Sequence, residues 1–536
     1  MIQIQKLSRF NRDKSQKFVN LIILPTILLF AAFLRLYRIE DYMTFLGDEG
    51  RDVLVVYNIL HGKLTLLGPT SSVGGFFLGP IYYYFMAPFL WLFNYNPVGP
   101  AVMVALIGVA TVWLIYVVGK EFFNAKAGIA AAVLYAISPL VIAYSRSSWN
   151  PNPLPFFSLL TLFILYKGVV KNNLKLFFTS GILLGIAMQL HYLATFLAAV
   201  MFLYVLLVDL IVPKINLNIV FVPLVKKYAL MLLGFIVGWS PFLTFELRHG
   251  FLDFKNMFNF IFQSGNTGAN ANFLSAIYDV FFRLFGRLLI SFPPPEQFFN
   301  YNQITLNLWI LVVLSIAVLS TFFLLNNFYQ SFKLKNENFK KYLLIVLWFF
   351  VGIILFGFYK KSIYDYYFSF MFPVPFIMLG LLISFIYENK KIKYFGKVIA
   401  IPLFALLFFI NIQGLPFRYE PNRQLNQMKT IADFVMTRTD AKPFNFALIS
   451  GGNSDYAYRY FFTVWNHPPV TIQDPAHDPG RKTVTDQLFV VCESPLPCEP
   501  LGHSLWEIAG FGRAEIEGHW NVSVVEVYKL VHYKGK

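Results

Sequence analysis

The sequence predicts a polytopic α-helical membrane protein of about 11 spans, followed by a small α/β domain outside the membrane. Three observations carry this. Hydrophobic residues make up 57% of the chain and charged residues 13%, with a mean hydropathy of +0.57, which places the chain in the membrane class. Apolar runs recur through the first 413 residues, separated by short loops rich in Lys and Arg. From about residue 414, polar residues alternate with short apolar runs instead. The net charge of +16 lies largely in the short loops, where basic residues set orientation and meet anionic lipid, so no nucleic-acid partner is expected.

Residues 1–17 carry Lys6, Arg9, Arg12, Lys14 and Lys17, which places the N-terminus in the cytoplasm. The apolar run after them has no small-residue cleavage site, so residues 18–36 read as a retained first span. Residues 37–100 then form the first external loop. It holds Gly47-Asp48-Glu49-Gly50-Arg51-Asp52, opening an amphipathic segment that stops at Gly62, and the aromatic run Tyr82-Tyr83-Tyr84-Phe85. Residues 81–93 fall short of the ~20 needed to cross a bilayer and read as an interfacial helix.

Spans follow at residues 102–118, 127–144 and 154–166. The apolar stretch 176–212 is too long for one span and breaks at Gln189-Leu190-His191-Tyr192, an outer turn. After a span at 228–245, a long external segment with an amphipathic piece at 251–262 runs to about residue 303. Four more spans lie at 305–325, 342–358, 366–387 and 398–412. Each inner loop after the first span carries at least two lysines, among them Lys120 and Lys126, Lys214 and Lys226, and Lys390 and Lys391. That register puts Asp48, Arg146, His191, Arg248 and Lys360 on one outer face. In the domain at 414–536, strands are expected in 444–449, 488–491 and 522–527, and helices in 422–437 and 456–465. Its two cysteines, Cys492 and Cys498, form either a disulfide or two buried thiols.

Ionisable groups at membrane depth are costly and therefore functional candidates. Asp48 and Glu49 begin a helix-like segment. Such a carboxylate can take a proton from an attacking hydroxyl or hold a metal; the plain alternative is a helix N-cap. Arg146, Arg248, Lys360 and Lys361 either snorkel to headgroups or bind a lipid phosphate. Arg51, Trp149, Asn150, His191, Tyr192, His249 and Tyr366 share the same face and are candidates for substrate binding, each with a packing or aromatic-belt role as its alternative. No Walker A loop, Rossmann fingerprint or HExxH occurs. A transporter or flippase of lipid-linked sugars, the other class considered, would need polar residues along a path across the bilayer. Here polar groups collect at the outer ends of the spans.

Gly47-Asp48-Glu49, the Gly79-Pro80-Ile81-Tyr82-Tyr83-Tyr84 run, the segment from Ser138-Pro139 to Asn150-Pro151, Gly185 to Tyr192, Pro241 to His249, and Tyr366-Tyr367 leading to Pro373 and Pro375 occur in that order. On these motifs the chain resembles GT-C type glycosyltransferases, in the prokaryotic branch of the protein O-mannosyltransferase and lipid A aminoarabinose transferase superfamily. The resemblance covers residues 18–412. It implies inverting transfer of a sugar from a polyprenyl-phosphate donor to a protein, lipid or glycan acceptor, at the outer face of a prokaryotic plasma membrane. It implies Asp48 as the acidic catalytic residue that takes the acceptor's proton, with Glu49 its partner, and Arg146, Arg248, Lys360 or Lys361 against the donor phosphate. The second external loop holds Asn150 and Asn152 where many relatives have an aspartate. No cofactor is therefore assigned, and a divalent metal ion stays open.

Overall fold

The computed structural model describes residues 19–71, 74–211, 217–268, 272–389, 393–493 and 498–535. The basic stretch through Lys17, with Lys214, Lys390 and Lys391, lies outside them. Among the described residues, seven helices are long and apolar enough to cross a membrane, from Val98–Phe122 to Tyr394–Gln413. The pair Asp365–Met371 and Pro373–Glu388, bent by 56°, makes an eighth if counted as one span. Four apolar helices are shorter: Leu21–Leu36, Ile81–Leu92, Ala125–Ile137 and Leu174–Leu190. All but Ile81–Leu92 coincide with spans of the sequence reading. The chain is a multi-pass membrane protein.

The first helix, α1 (Leu24–Leu36), leads into the first loop, where α2 (Gly47–Leu60) carries the acidic motif. Gly62 ends α2 in the left-handed region (φ 88°), which lets the Lys63 amide turn back to the Asn58 carbonyl at 2.9 Å. Further on, α3 (Leu174–Leu190) and α4 (Leu217–Gly238) pack backbone to backbone. A Cβ on Gly181 would lie 2.1 Å from the Met231 carbonyl, and one on Gly234 would lie 2.0 Å from that of Phe178. Small residues four apart are what allow such close helix contact in lipid.

Three expected spans are broken, among them 228–245, which divides at Trp239 between the helices Leu217–Gly238 and Ser240–Arg248. Residues 127–144 divide at Ser138, because Pro139 has no N–H to continue the helical ladder. Residues 366–387 divide at the bend before Pro373. The segment 250–303, expected to be external, also holds a helix that the sequence reading does not assign, α5 (Phe273–Leu289). Its buried Val280, Leu284 and Leu288 recur every fourth residue, while Arg283 and Arg287 both bond Asp365.

In the C-terminal part, α6 (Gln424–Arg438) precedes β1 (Asn445–Ile449), α7 (Tyr456–Val464), β2 (Gln487–Cys492), β3 (Ala514–Val522) and β4 (Val525–His532). The sheet order is β1-β2-β4-β3, with β1 and β2 parallel and the other pairs antiparallel. The expected strand at 522–527 spans the end of β3 and the start of β4, interrupted by a two-residue hairpin turn at Ser523-Val524, with Ser523 at φ 55°. Both faces of the central strand β2 are buried, while β3 at the edge is largely exposed. Phe489, Val491 and Val527 join a core continuous with the membrane helices, while Leu488, Val490 and Leu530 face a smaller cluster. Cys492 and Cys498 are joined as a disulfide.

Candidate active site

The site begins at the N-terminus of α2. Leu46, at the cap position, has no polar side chain to offer the first amides. The Glu49 carboxylate reaches back instead and accepts from the Leu46 amide at 3.0 Å. Glu49 is buried, and burial pushes its carboxyl up to about 7. It therefore faces the protein, whereas Asp48, next in chain, stays exposed.

Arg51 lies one turn along and bridges two carboxylates. Its Nη1 donates to Asp48 Oδ1 at 2.9 Å, and its Nε and Nη2 donate to Asp52 Oδ1 at 2.9 and 2.8 Å. Tyr83 donates to the same Asp52 oxygen at 3.2 Å. Asp52 is fully buried, and burial lifts its carboxyl to about 6 against the pull of Arg51. Burial also opposes the charge on Arg51, yet Asp52, Tyr83 and Asp48 together raise it above the usual range. The helix thus presents one exposed carboxylate, steered by a guanidinium anchored from behind.

Asp48 and Arg51 open onto a cavity of about 510 Å³, counted with the solvent at its mouth. The first loop also contributes Pro69, Thr70 and Leu78 to the lining; Trp149, Asn150, His191, Tyr192, Tyr366 and Tyr367 close the other side. The aromatic wall is continuous: Trp149 and Tyr366 have ring centroids 4.4 Å apart, His191 and Tyr192 4.6 Å, and His191 and Tyr366 5.8 Å. Burial lowers His191 to about 3, so its ring is neutral at physiological pH. The Leu193 amide donates to its Nδ1 at 3.3 Å, which leaves Nε2 as the protonated nitrogen. Loop-to-loop bonds fix the rest: the Thr44 amide donates to Ser147 Oγ at 3.0 Å, and Tyr82 and Ser148 share a hydrogen bond of 2.7 Å.

Of the residues chosen from sequence, Asp48, Arg51, Trp149, Asn150, His191, Tyr192 and Tyr366 come together here. The four expected phosphate binders do not line this cavity. Arg146 is buried and turned to the carbonyl end of α1, donating to the Leu34 and Tyr37 carbonyls at 2.9 and 2.7 Å, with its guanidinium 4.9 Å from the Phe417 ring. A cation satisfies the orphan carbonyls of a helix C-terminus there. Arg248 and His249 sit exposed at the end of Ser240–Arg248, with His249 stacked on Phe245 at 3.9 Å. Lys360 and Lys361 are exposed on the loop before Tyr366.

Asp52 and Tyr83 were not assigned from sequence, although a carboxylate four residues after Asp48 and beside Arg51 is a helix-face signal. Gly47 and Gly50 are small because the loop before α7 and the start of α7 lie against them: a Cβ on Gly47 would collide with Ser454, and one on Gly50 would fall 2.3 Å from the Ala457 amide nitrogen.

A divalent metal shared by carboxylates of the first and second loops does not fit this donor set. Asn150 Nδ2 donates to the Leu190 carbonyl at 2.6 Å and Asn152 Nδ2 to that of Ser147 at 2.8 Å, so both amides serve the turn. Among the described residues, no three His, Cys, Asp or Glu side chains gather as a metal site.

The fold is shared with ArnT from Cupriavidus metallidurans bound to undecaprenyl phosphate, at 11% identity and a TM-score of 0.61, over 96% of this chain and 98% of that one. This is the GT-C fold. A second GT-C relative in structure is the archaeal oligosaccharyltransferase AglB from Archaeoglobus fulgidus, in complex with an inhibitory peptide and a dolichol-phosphate. It matches at 13% identity and a TM-score of 0.52, over 89% of this chain and 69% of that one. Residues 78–240 match the family model of the dolichyl-phosphate-mannose-protein mannosyltransferases, a stretch of the GT-C helices that includes Trp149, Asn150, His191 and Tyr192. No curated protein sequence matches the chain significantly.

Proposed function

We propose that the protein is an inverting glycosyltransferase that moves a sugar from a polyprenyl-phosphate donor to an acceptor hydroxyl at the outer face of a prokaryotic plasma membrane. The observation that supports this most is the cavity: one exposed carboxylate, Asp48, faces an aromatic and amide wall built from three separate loops. The aromatic faces of Trp149 and Tyr366 suit a sugar ring, and Asn150 and His191 suit its hydroxyls. In the reaction the acceptor oxygen attacks the anomeric carbon. The bond from that carbon to the phosphate oxygen breaks, and Asp48 takes the acceptor's proton as it leaves. Polyprenyl phosphate departs with added negative charge. Arg51 is the cation in the cavity, and its anchoring to Asp52 keeps it aimed without reorganisation. Arg146 acts in this reading as a structural cation rather than a phosphate ligand. The C-terminal sheet lies outside the membrane.

The test is incubation of the purified protein in lipid with a panel of labelled polyprenyl-phosphate sugars and a membrane extract as acceptor source. Consumption of one donor with release of polyprenyl phosphate is the expected result. Donor carried across the bilayer with its sugar still attached would replace this reading with a transporter.

A further inference from the structure

The chain from Thr44 to Gly47 sets the entry angle of α2, and its amides are held in an unusual way. Each of these four consecutive amides donates to a side chain, and none to a backbone carbonyl among the described residues. Thr44 uses Ser147 and Leu46 uses Glu49. The other two acceptors come from the C-terminal part of the chain: Gln424 Oε1 for Phe45 at 3.2 Å and Asn453 Oδ1 for Gly47 at 2.8 Å. Since Leu46 has no polar side chain, Asn453 supplies from 406 residues away an acceptor for the Gly47 amide, one of the orphan donors of the first turn of α2.

Asn453 is itself fixed. Its Oδ1 also accepts from the Ser454 amide at 2.9 Å, and its Nδ2 donates to Glu493 Oε2 at 2.8 Å. Glu493 Oε1 accepts from Tyr458 of α7 at 2.6 Å, and the Glu493 amide extends the β1–β2 ladder to the Ile449 carbonyl at 2.9 Å. Glu493 follows Cys492, which the disulfide ties to Cys498. A path of hydrogen bonds therefore runs from the sheet through Glu493 and Asn453 to the residue before Asp48. Gly47 and Gly50 allow the approach: a Cβ on either would collide with Ser454 or Ala457.

We infer that Asn453 and Gln424 are positioning residues: the C-terminal domain caps α2 in trans and so sets where the Asp48 carboxylate stands in the cavity. The catalytic half of this rests on the transferase reading above; the capping half does not. Hydrogen exchange on the full chain in lipid nanodiscs reads the cap directly. Asn453→Ala is expected to speed exchange of the 44–50 amides about 5-fold, the usual worth of a helix cap, with the helices at 98–122 and 338–356 unchanged. With a donor in hand, the same variant is expected to lower kcat about 10-fold or more with KM for the donor unchanged, because a displaced carboxylate binds no less sugar but reacts more slowly.

The paired change Asn453→Asp with Glu493→Gln exchanges donor and acceptor across their hydrogen bond and leaves an acceptor for Gly47. It is expected to return both exchange and kcat to within about 3-fold of wild type. Unchanged exchange at 44–50 in Asn453→Ala overturns the cap. A paired variant that stays as impaired as Asn453→Ala also overturns it. Faster exchange with wild-type kcat overturns the positioning role. If no donor in the panel turns over with wild type, the transferase reading fails and the exchange arm alone decides the cap.

Discussion

At the scale of residues, two neighbouring carboxylates have opposite surroundings. Asp48 is exposed and held by Arg51; Glu49 is buried and serves the Leu46 amide. The family resemblance implies that they act as catalytic partners, but adjacent helix positions point about 100° apart. Glu49 carries a separate prediction. Its carboxyl titrates near 7 in the fold against 4.5 as a free group, so the folded state holds the proton more tightly. Its contribution is complete below about pH 4.5 and is lost as pH rises through 7, by roughly 3 kcal/mol. Thermal unfolding of wild type and Glu49→Gln at pH 5 and pH 8 checks this. The melting temperature of the variant should gain on wild type at the higher pH; an equal gap at both would refute it. Arg146 shows the limit of sequence at this scale. An arginine after an apolar run can meet a headgroup or a helix end, and only the path of the chain decides which.

Elements explain why glycines surround the acidic motif. α2 meets α7 at Gly50 and the loop before α7 at Gly47, with no room for a side chain at either. Gly50→Ala should cost about 1–3 kcal/mol, because the atoms it meets are backbone and cannot rotate away. Gly451→Ala, on the open side of the same contact, should stay within about 0.5 kcal/mol of wild type. Comparing the thermal midpoints of the two variants checks both. No sequence signal links residue 50 to residue 457, since helix periodicity reports which face is buried and not what covers it. The same limit applied to α5. Its Val280, Leu284 and Leu288 stripe lies between an Asn/Gly run and a Pro run, and the sequence reading leaves it unassigned. Lysine placement, by contrast, marked most span ends, because charge at a bilayer edge is a strong and local constraint.

In the whole molecule, membrane helices and the C-terminal sheet share one core, with Leu425, Ile431 and Phe446 in the same cluster as Val104 and Leu134. The two parts separated in the sequence because their hydropathy differs, and that difference says nothing about the interface between them. Seven of the residues chosen from sequence, drawn from distant stretches of the chain, line one cavity, whereas Arg146, Arg248 and Lys360, expected on the same face, do not. The account makes a prediction about metal at this scale. With amides rather than carboxylates on the second loop, sugar transfer should continue in a chelator; turnover lost on chelation and restored by a divalent ion would show a ligand set other than the one described. The central claim is that Asp48 accepts the proton in sugar transfer. The most direct measurement compares wild type with Asp48→Asn for binding and for turnover of the donor that the panel identifies. The account expects donor affinity within about 3-fold of wild type and turnover lower by about 10²-fold or more. Equal turnover in the two proteins would leave Asp48 as a helix-end charge and contradict the mechanism.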